Sequence, residues 1–217
     1  LSFSLEVADL EKKPELNDFS CGVDLGIKTL VTVSFGGSEM KISNPNKGLV
    51  IRRHMRQLKR SQRKLSRSKK GSQRRLKARQ RLEKKWERIR NIRRNHAHQS
   101  TRRVVNLLPK RIVLEDLNVK GMMKNHHLAR AVSECNFAEL HRQMEYKARA
   151  MGIEVVYADR FFPSSKTCSC CGGFKSGLKL SDREFHCPKC GAVLDRDFNA
   201  ARNLELYAPT KDSLVLK

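Results

Sequence analysis

Apolar and polar positions alternate along residues 19–43, with glycines at turn-like places. CGVDLGI, TLVTVSF and EMKIS each carry the two-residue period of a strand, so a three-stranded meander is expected. The pattern changes over residues 46–106, where Lys, Arg, Gln, Leu and Glu dominate and favour helix. KKGSQ at 69–73 is the clear break, which predicts two long helices, the second ended by Pro109. A sparse stripe of Leu58, Leu65, Leu76, Leu82, Trp86 and Ile89 is expected to pair them. RIVLEDL at 111–117 reads as a buried strand, and IEVVYA at 153–158 as another. Between them Phe137, Leu140, Met144, Ala148 and Met151 fall on one helical face, capped by Gly152. DFNAARNLEL at 197–206 reads as a last helix with Asp197 in its first turn. Strands, helices, strand, helix, strand and helix in that order predict a mixed α/β domain.

Charge adds a partner to this picture. The 217 residues carry a formal net charge of +24. Between Arg52 and Arg103 there are 23 Lys or Arg against two acids, Glu83 and Glu87, so this stretch alone holds +21 and the rest is near balance. Such self-repulsion has little structural use, and a polyanion is the expected partner. Nucleic acid fits better than a membrane, since no apolar run approaches the roughly 18 residues of a spanning helix. Phosphate contact is expected from Arg52, Arg53, Arg56, Lys59, Arg60, Arg63, Lys64, Arg67, Lys69, Lys70, Arg74, Arg75, Lys77, Arg79, Arg81, Arg88, Arg90, Arg93 and Arg94. A solvated basic arm is the alternative reading of the same run. LSFSLEVADLEKK lacks the apolar stretch of a signal peptide and reads as a strand already under way, so residues 1–18 are expected to be the remnant of an N-terminal β domain.

Five of the seven cysteines lie within residues 168–190, a spacing that suits a metal site in a reducing cytoplasm better than disulfides. Cys168 and Cys171, then Cys187 and Cys190, form two CxxC pairs, each followed by a glycine. Two such pairs brought together supply the tetrahedral sulfur set of a structural Zn²⁺ with no open position. Cys170 and His186 remain alternative ligands.

Three acids stand in unlike contexts: Asp24 in GVDLG, Glu115 in IVLED and Asp197 at the start of the last helix. An acid inside a buried strand is costly unless a cation meets it. Carboxylates from two strands and a helix can hold two Mg²⁺ or Mn²⁺ about 3.5–4 Å apart for in-line hydrolysis of a phosphodiester. Strand alternation puts Glu115 with Val113, and Asp116 on the opposite face with Leu114. Asp116 competes with Glu115 for the role, Asp195 competes with Asp197, and an N-cap is the alternative role of Asp197.

GVDLGIKTL, RIVLEDL and DRDFNAARNL stand in the order of the three RuvC motifs of the TnpB family, and TCSCCG and FHCPKCG resemble its zinc ribbon. The basic run LKRSQRKLSRSKKGSQRRLKARQRLEKKWERIRN resembles the segment between the family's first two motifs. The resemblance implies an RNase H-like (RuvC) α/β domain over 19–48, 104–165 and 193–217, a basic helical hairpin inserted at 49–103 and a four-cysteine zinc ribbon at 166–192. It implies Asp24, Glu115 and Asp197 as the catalytic magnesium ligands, and Cys168, Cys171, Cys187 and Cys190 as the zinc ligands. It further implies a transposon-encoded DNA endonuclease with guide RNA and DNA as partners, and residues 1–18 are expected to be all that this chain carries of the family's N-terminal guide- and target-recognition region. A non-cleaving DNA- or RNA-binding remnant is the alternative. A basic zinc protein of the ribosome would account for the charge and the cysteines but not for the acids.

Overall fold

Alternation in Asn17–Leu25 (β1) turns Cys21, Val23 and Leu25 to one side of the sheet and Gly22 and Asp24 to the other. The computed structural model describes residues 13–179 and 182–208. Thr29–Phe35 (β2) and Ser38–Ser43 (β3) complete an antiparallel meander with β1. Gly36 and Gly37 make the second turn at φ +53° and +79°, the left-handed pair that a two-residue hairpin needs. Pro109–Glu115 (β4) joins β1 in parallel, and Glu154–Ala158 (β5) joins β4 in parallel, giving the order β3-β2-β1-β4-β5. The mixed α/β sheet expected from the sequence is therefore present. The terminal strand expected over residues 1–10 lies outside the described residues, and Asn17 and Asp18, grouped with it in the sequence, belong to β1.

Helices cover both faces. Cys21, Val23, Ile112 and Leu114 share one buried cluster with Val104, from Gln73–Val105 (α2), and with Leu140 and Met144, from Phe137–Met151 (α5). On the other face Val113, Val156 and Ala158 pack with Leu204 of Arg196–Glu205 (α6) and with Tyr207 just beyond it. Glu205 pins that end, accepting from Ser34 Oγ at 2.5 Å and from the Gly36 N–H at 2.7 Å.

The seat of α6 depends on Gly22. A Cβ there would lie 1.9 Å from the Ala201 carbonyl oxygen and 2.2 Å from the Glu205 nitrogen, both backbone atoms. Gly22→Ala is therefore expected to push α6 off β1 and destabilise the chain by about 3 kcal/mol. Denaturant unfolding checks this, and a loss under about 0.5 kcal/mol would contradict the tight seating.

The basic run forms a hairpin of Leu49–Ser66 (α1) and α2, packed on one another. Ser72 caps α2 by accepting from the Arg75 N–H at 3.2 Å. Leu58 and Ile89 are buried as expected, but Leu76 and Trp86 are 49% and 36% exposed. Ile51 and Ala78, which the expected stripe did not include, are buried as well. Two of the arginines expected on phosphate are instead engaged within the fold. Arg75 donates to the Leu65 and Ser68 carbonyls, both at 2.9 Å, and closes the end of α1. Arg93 donates to Asn46 Oδ1 at 2.8 Å and pairs with Glu134 at 3.5 Å. Two short helices that the sequence reading passed over, Val119–Lys124 (α3) and His126–Cys135 (α4), link β4 to α5.

Candidate active site and metal centre

The carboxyl ends of β1 and β4 lie side by side. Val23 pairs with Leu114, so one residue further on Asp24 and Glu115 are neighbours, and both face α6. Asp197 stands in the first turn of α6. Burial comes first among the causes that push the Asp24 carboxyl well above the usual carboxylate range, with the charges of Glu115 and Asp197 next, and Arg196 pulls it back. Burial also raises Glu115, against the hydrogen bond from Ser164 and the charge of Arg196. Ser164 Oγ donates to Glu115 Oε1 at 2.5 Å. The charges of Glu115, Asp197 and Asp195 thus all act on Asp24, and sequence reasoning missed two side chains here, Ser164 and Arg196. A cleft of about 220 Å³ opens beside Glu115, lined also by Asp116, Asp159, Arg160, Phe162 and Ser164.

The competing acids have other partners. Asp116 pairs with Arg160 at 2.7 Å. Asp195 is the N-cap of α6, accepting from the Phe198 N–H at 3.0 Å, and it pairs with Lys41 at 3.2 Å. Asp195, not Asp197, therefore does the capping, which leaves the Asp197 carboxylate for the group around Asp24.

The cysteine segment closes on itself. The sulfurs of Cys168, Cys171, Cys187 and Cys190 all lie within 4.8 Å of one another. The two knuckles repeat one geometry. Gly172 N–H donates to the Cys168 carbonyl at 2.8 Å and Gly191 N–H to that of Cys187 at 3.1 Å, with the glycines at φ +70° and +73°. Cys168 N–H then donates to Gly173, and Cys187 N–H to Ala192, both at 2.8 Å. A short hairpin of Glu184–His186 (β6) and Val193–Asp195 (β7) carries the second knuckle and leads directly into α6. The N–H groups of Cys190 and Lys189 reach Cys187 Sγ at 3.4 Å each. With the Cys190 N–H as the leading cause, they and the neighbouring thiols hold Cys187 down to about 6, near the thiolate that a metal requires. Cys170 is exposed and stands outside the group of four, and His186 pairs with Glu184 at 3.3 Å. The four sulfurs fit a soft tetrahedral ion such as Zn²⁺, and among the described residues they are the group whose ligand atoms lie close enough together to hold one.

The basic residues of the hairpin remain largely exposed. Arg60, Arg63, Lys64, Arg67, Lys69 and Arg74 surround a cleft of about 640 Å³ at its tip. Among the described residues no helix is long and apolar enough to cross a membrane.

Comparison with known proteins shows the family and the fold. Residues 2–126 match the family model described as "Probable transposase" (IS605 OrfB), and residues 137–204 match the "Cas12f1-like, TNB domain" model. A relative in Streptomyces pristinaespiralis, named "Putative RNA-guided DNA endonuclease", is 44% identical over 183 residues, covering 84% of this chain and 44% of its own length. The "CRISPR-associated endodeoxyribonuclease Cas12f1" of Sulfoacidibacillus thermotolerans is 30% identical over 138 residues, covering 61% of this chain and 31% of its own. A cryo-EM structure of a CRISPR-Cas12f ternary complex shares the fold with a TM-score of 0.69 at 21% identity, over 93% of this chain and 41% of that one. The chain spans less than half the length of these curated relatives. This chain therefore belongs to the TnpB family of IS605 OrfB probable transposases.

Proposed function

We propose that the chain carries the phosphodiester-hydrolysing centre of an RNA-guided DNA endonuclease, with Asp24, Glu115 and Asp197 as ligands for two Mg²⁺ or Mn²⁺. The observation that carries this reading is the placement of Asp24 and Glu115 side by side at the ends of β1 and β4, facing the helix whose first turn holds Asp197, with the half-buried Asp24 carboxyl pushed up by desolvation and by the charges of Glu115, Asp197 and Asp195. Such a group is unfavourable for the apo chain and becomes favourable when divalent charge enters. The bound cations would supply an activated water and neutralise the leaving oxygen. The residues do the rest. Asp24, at the end of β1, would be one of the ligands to the cations. Glu115, oriented by Ser164, and Asp197, presented by the first turn of α6, would complete the two shells. One Zn²⁺ in the ribbon would be structural, because four thiolates leave no open position.

The apo chain supplies the test. A carboxyl raised in the fold binds more protons than when unfolded, so its contribution to stability falls as pH rises through its folded pKa. Asp24→Asn is therefore expected to stabilise the metal-free chain at neutral pH by about 1 kcal/mol or more, with the gain vanishing toward the unfolded carboxylate range near pH 4. The same variant should lose the Mn²⁺-induced stabilisation of the wild type. An Asp24→Asn chain that keeps it would remove the acid centre from the proposal.

The hairpin would bring DNA or RNA to this centre through its phosphates, since Trp86 is the sole aromatic among its basic residues. Replacing Arg60, Arg63, Lys64, Arg67 and Arg74 with Gln removes five cations from the tip cleft. The slope of log K against log salt on duplex DNA is expected to become shallower by about 4, with all sequences weakened alike. A variant that keeps its salt slope but loses sequence preference would contradict the role.

A further inference from the structure

A polar latch joins α6 to the segment entering the first knuckle. Asn199 and Asn203 are four residues apart and share a face of α6, yet they are 0% and 7% exposed. Buried amides need partners, and these two find them in one place. Asn199 Oδ1 accepts from the Ser169 N–H at 2.9 Å while its Nδ2 donates to the Thr167 carbonyl at 2.7 Å. Asn203 Nδ2 donates to the same Thr167 carbonyl at 2.6 Å and to the Ser164 carbonyl at 2.7 Å. Thr167 and Ser169 flank Cys168. Ser164, itself 6% exposed, is the residue whose hydroxyl meets Glu115. Residues 164–169 thus run from the hydrogen-bond partner of one acid to a thiol of the ribbon, and they are clamped along the helix that carries a second acid.

We propose that Asn199 and Asn203 are positioning residues for the acid centre, and that through them the metal of the ribbon governs the cation affinity of Asp24, Glu115 and Asp197. The inference rests on the reading of these acids as cation ligands. The physical chain is short. A metal across Cys168, Cys171, Cys187 and Cys190 fixes both knuckles relative to each other. The first knuckle continues into residues 164–167, and the second continues through β7 into α6. Without the metal the two ends of the latch are no longer tied, the backbone of 164–169 gains freedom, and Ser164 loses its fixed approach to Glu115. The amide of Asn203 serves two carbonyls at once, so Asn203→Asp keeps the volume but sets a carboxylate oxygen against two carbonyl oxygens.

The test uses the zinc-loaded full chain, titrated with Mn²⁺ and followed by the electron paramagnetic resonance signal of the free ion. Zinc is counted by elemental analysis, and backbone protection is read by hydrogen exchange. Ser164→Ala and Asn203→Asp are expected to weaken Mn²⁺ binding 10- to 100-fold, as loss of an outer-shell partner does, with β1 and β4 protected as in the wild type. Cys187→Ser, which touches no carboxylate, is expected to weaken it to a similar degree. A role in packing alone would lower the melting temperature and leave the Mn²⁺ affinity of the folded chain unmoved. If Asn203→Asp does not fold, Ser164→Ala and Cys187→Ser decide. Wild-type Mn²⁺ affinity in Cys187→Ser, or in Ser164→Ala, overturns this inference and leaves the proposed function standing. A wild-type chain whose Mn²⁺ binding is indifferent to Asp24→Asn overturns both.

Discussion

Replacing Asp24, Glu115 or Asp197 by Ala is expected to lower DNA cleavage by at least about 10³-fold in each case, with nucleic-acid binding nearly unchanged. The assay sets the chain in a protein of its relatives' length, supplied with guide RNA and Mg²⁺. The size of the effect follows from the shared site. On the proposed reading each acid would hold cations that the other two also hold, so losing one would dismantle the unit. For that reason the double and triple replacements should be little worse than the single ones. Asp116→Ala and Asp195→Ala are the internal controls. Asp116 is held by Arg160, and Asp195 by the α6 N-terminus and Lys41, so each already has a partner and neither is needed for a cation. They should retain most of the activity, apart from a cap loss of about 1 kcal/mol in stability for Asp195. Cleavage surviving Glu115→Ala, or vanishing in Asp116→Ala alone, would assign the role to the other face of β4.

Removing the ribbon metal is expected to have the second-largest effect, and a local one. Zinc binding by four thiolates in small peptides is worth on the order of 10–16 kcal/mol at neutral pH. The ribbon has a small core of its own, with Phe185 fully buried beside Cys168 and Cys187. That core cannot replace such a contribution, so Cys187→Ser should release residues 166–179 and 182–192 to rapid hydrogen exchange. The clusters under the sheet draw on α2, α5 and α6, and should keep their protection. Cys170→Ser is the control, since Cys170 lies outside the group of four and should leave one zinc per chain. Protein purified without chelators and found free of zinc would remove the ribbon's metal from the account.

Much of the fold was legible because each element carries its own period. β2, β4, the helical stripe of α5 and the Gly152 cap appear in the structure within a residue or two of expectation, while β1 begins four residues before the expected CGVDLGI. Strand alternation placed Glu115 with Val113 on the α6 face and Leu114 in the opposite cluster, whereas Asp116 lies just beyond β4 and lines the same cleft as Glu115. The helices α3 and α4 escaped notice because Asn125 divides them and neither is long enough for a sustained 3.6-residue period. The hairpin stripe was misjudged at Leu76 and Trp86. Residue type alone cannot tell which turns of two long helices face each other, and here Ala78 is buried while Leu76 and Trp86 are not. Asn199 and Asn203 were invisible for a different reason. Polar residues four apart on a terminal helix read as its wet face, and their burial depends on a knuckle some thirty residues earlier in the chain. Ser164 likewise acquires meaning only from the tertiary approach of its loop to β4.

The measurement that reaches the central claim most directly is anomalous diffraction from crystals of the chain grown with Mn²⁺ and Zn²⁺. The account predicts zinc among Cys168, Cys171, Cys187 and Cys190. It also predicts manganese between Asp24, Glu115 and Asp197. Manganese on Asp116, Asp159 or Asp195 with none on Asp24, at ion concentrations that stabilise the protein, would contradict it.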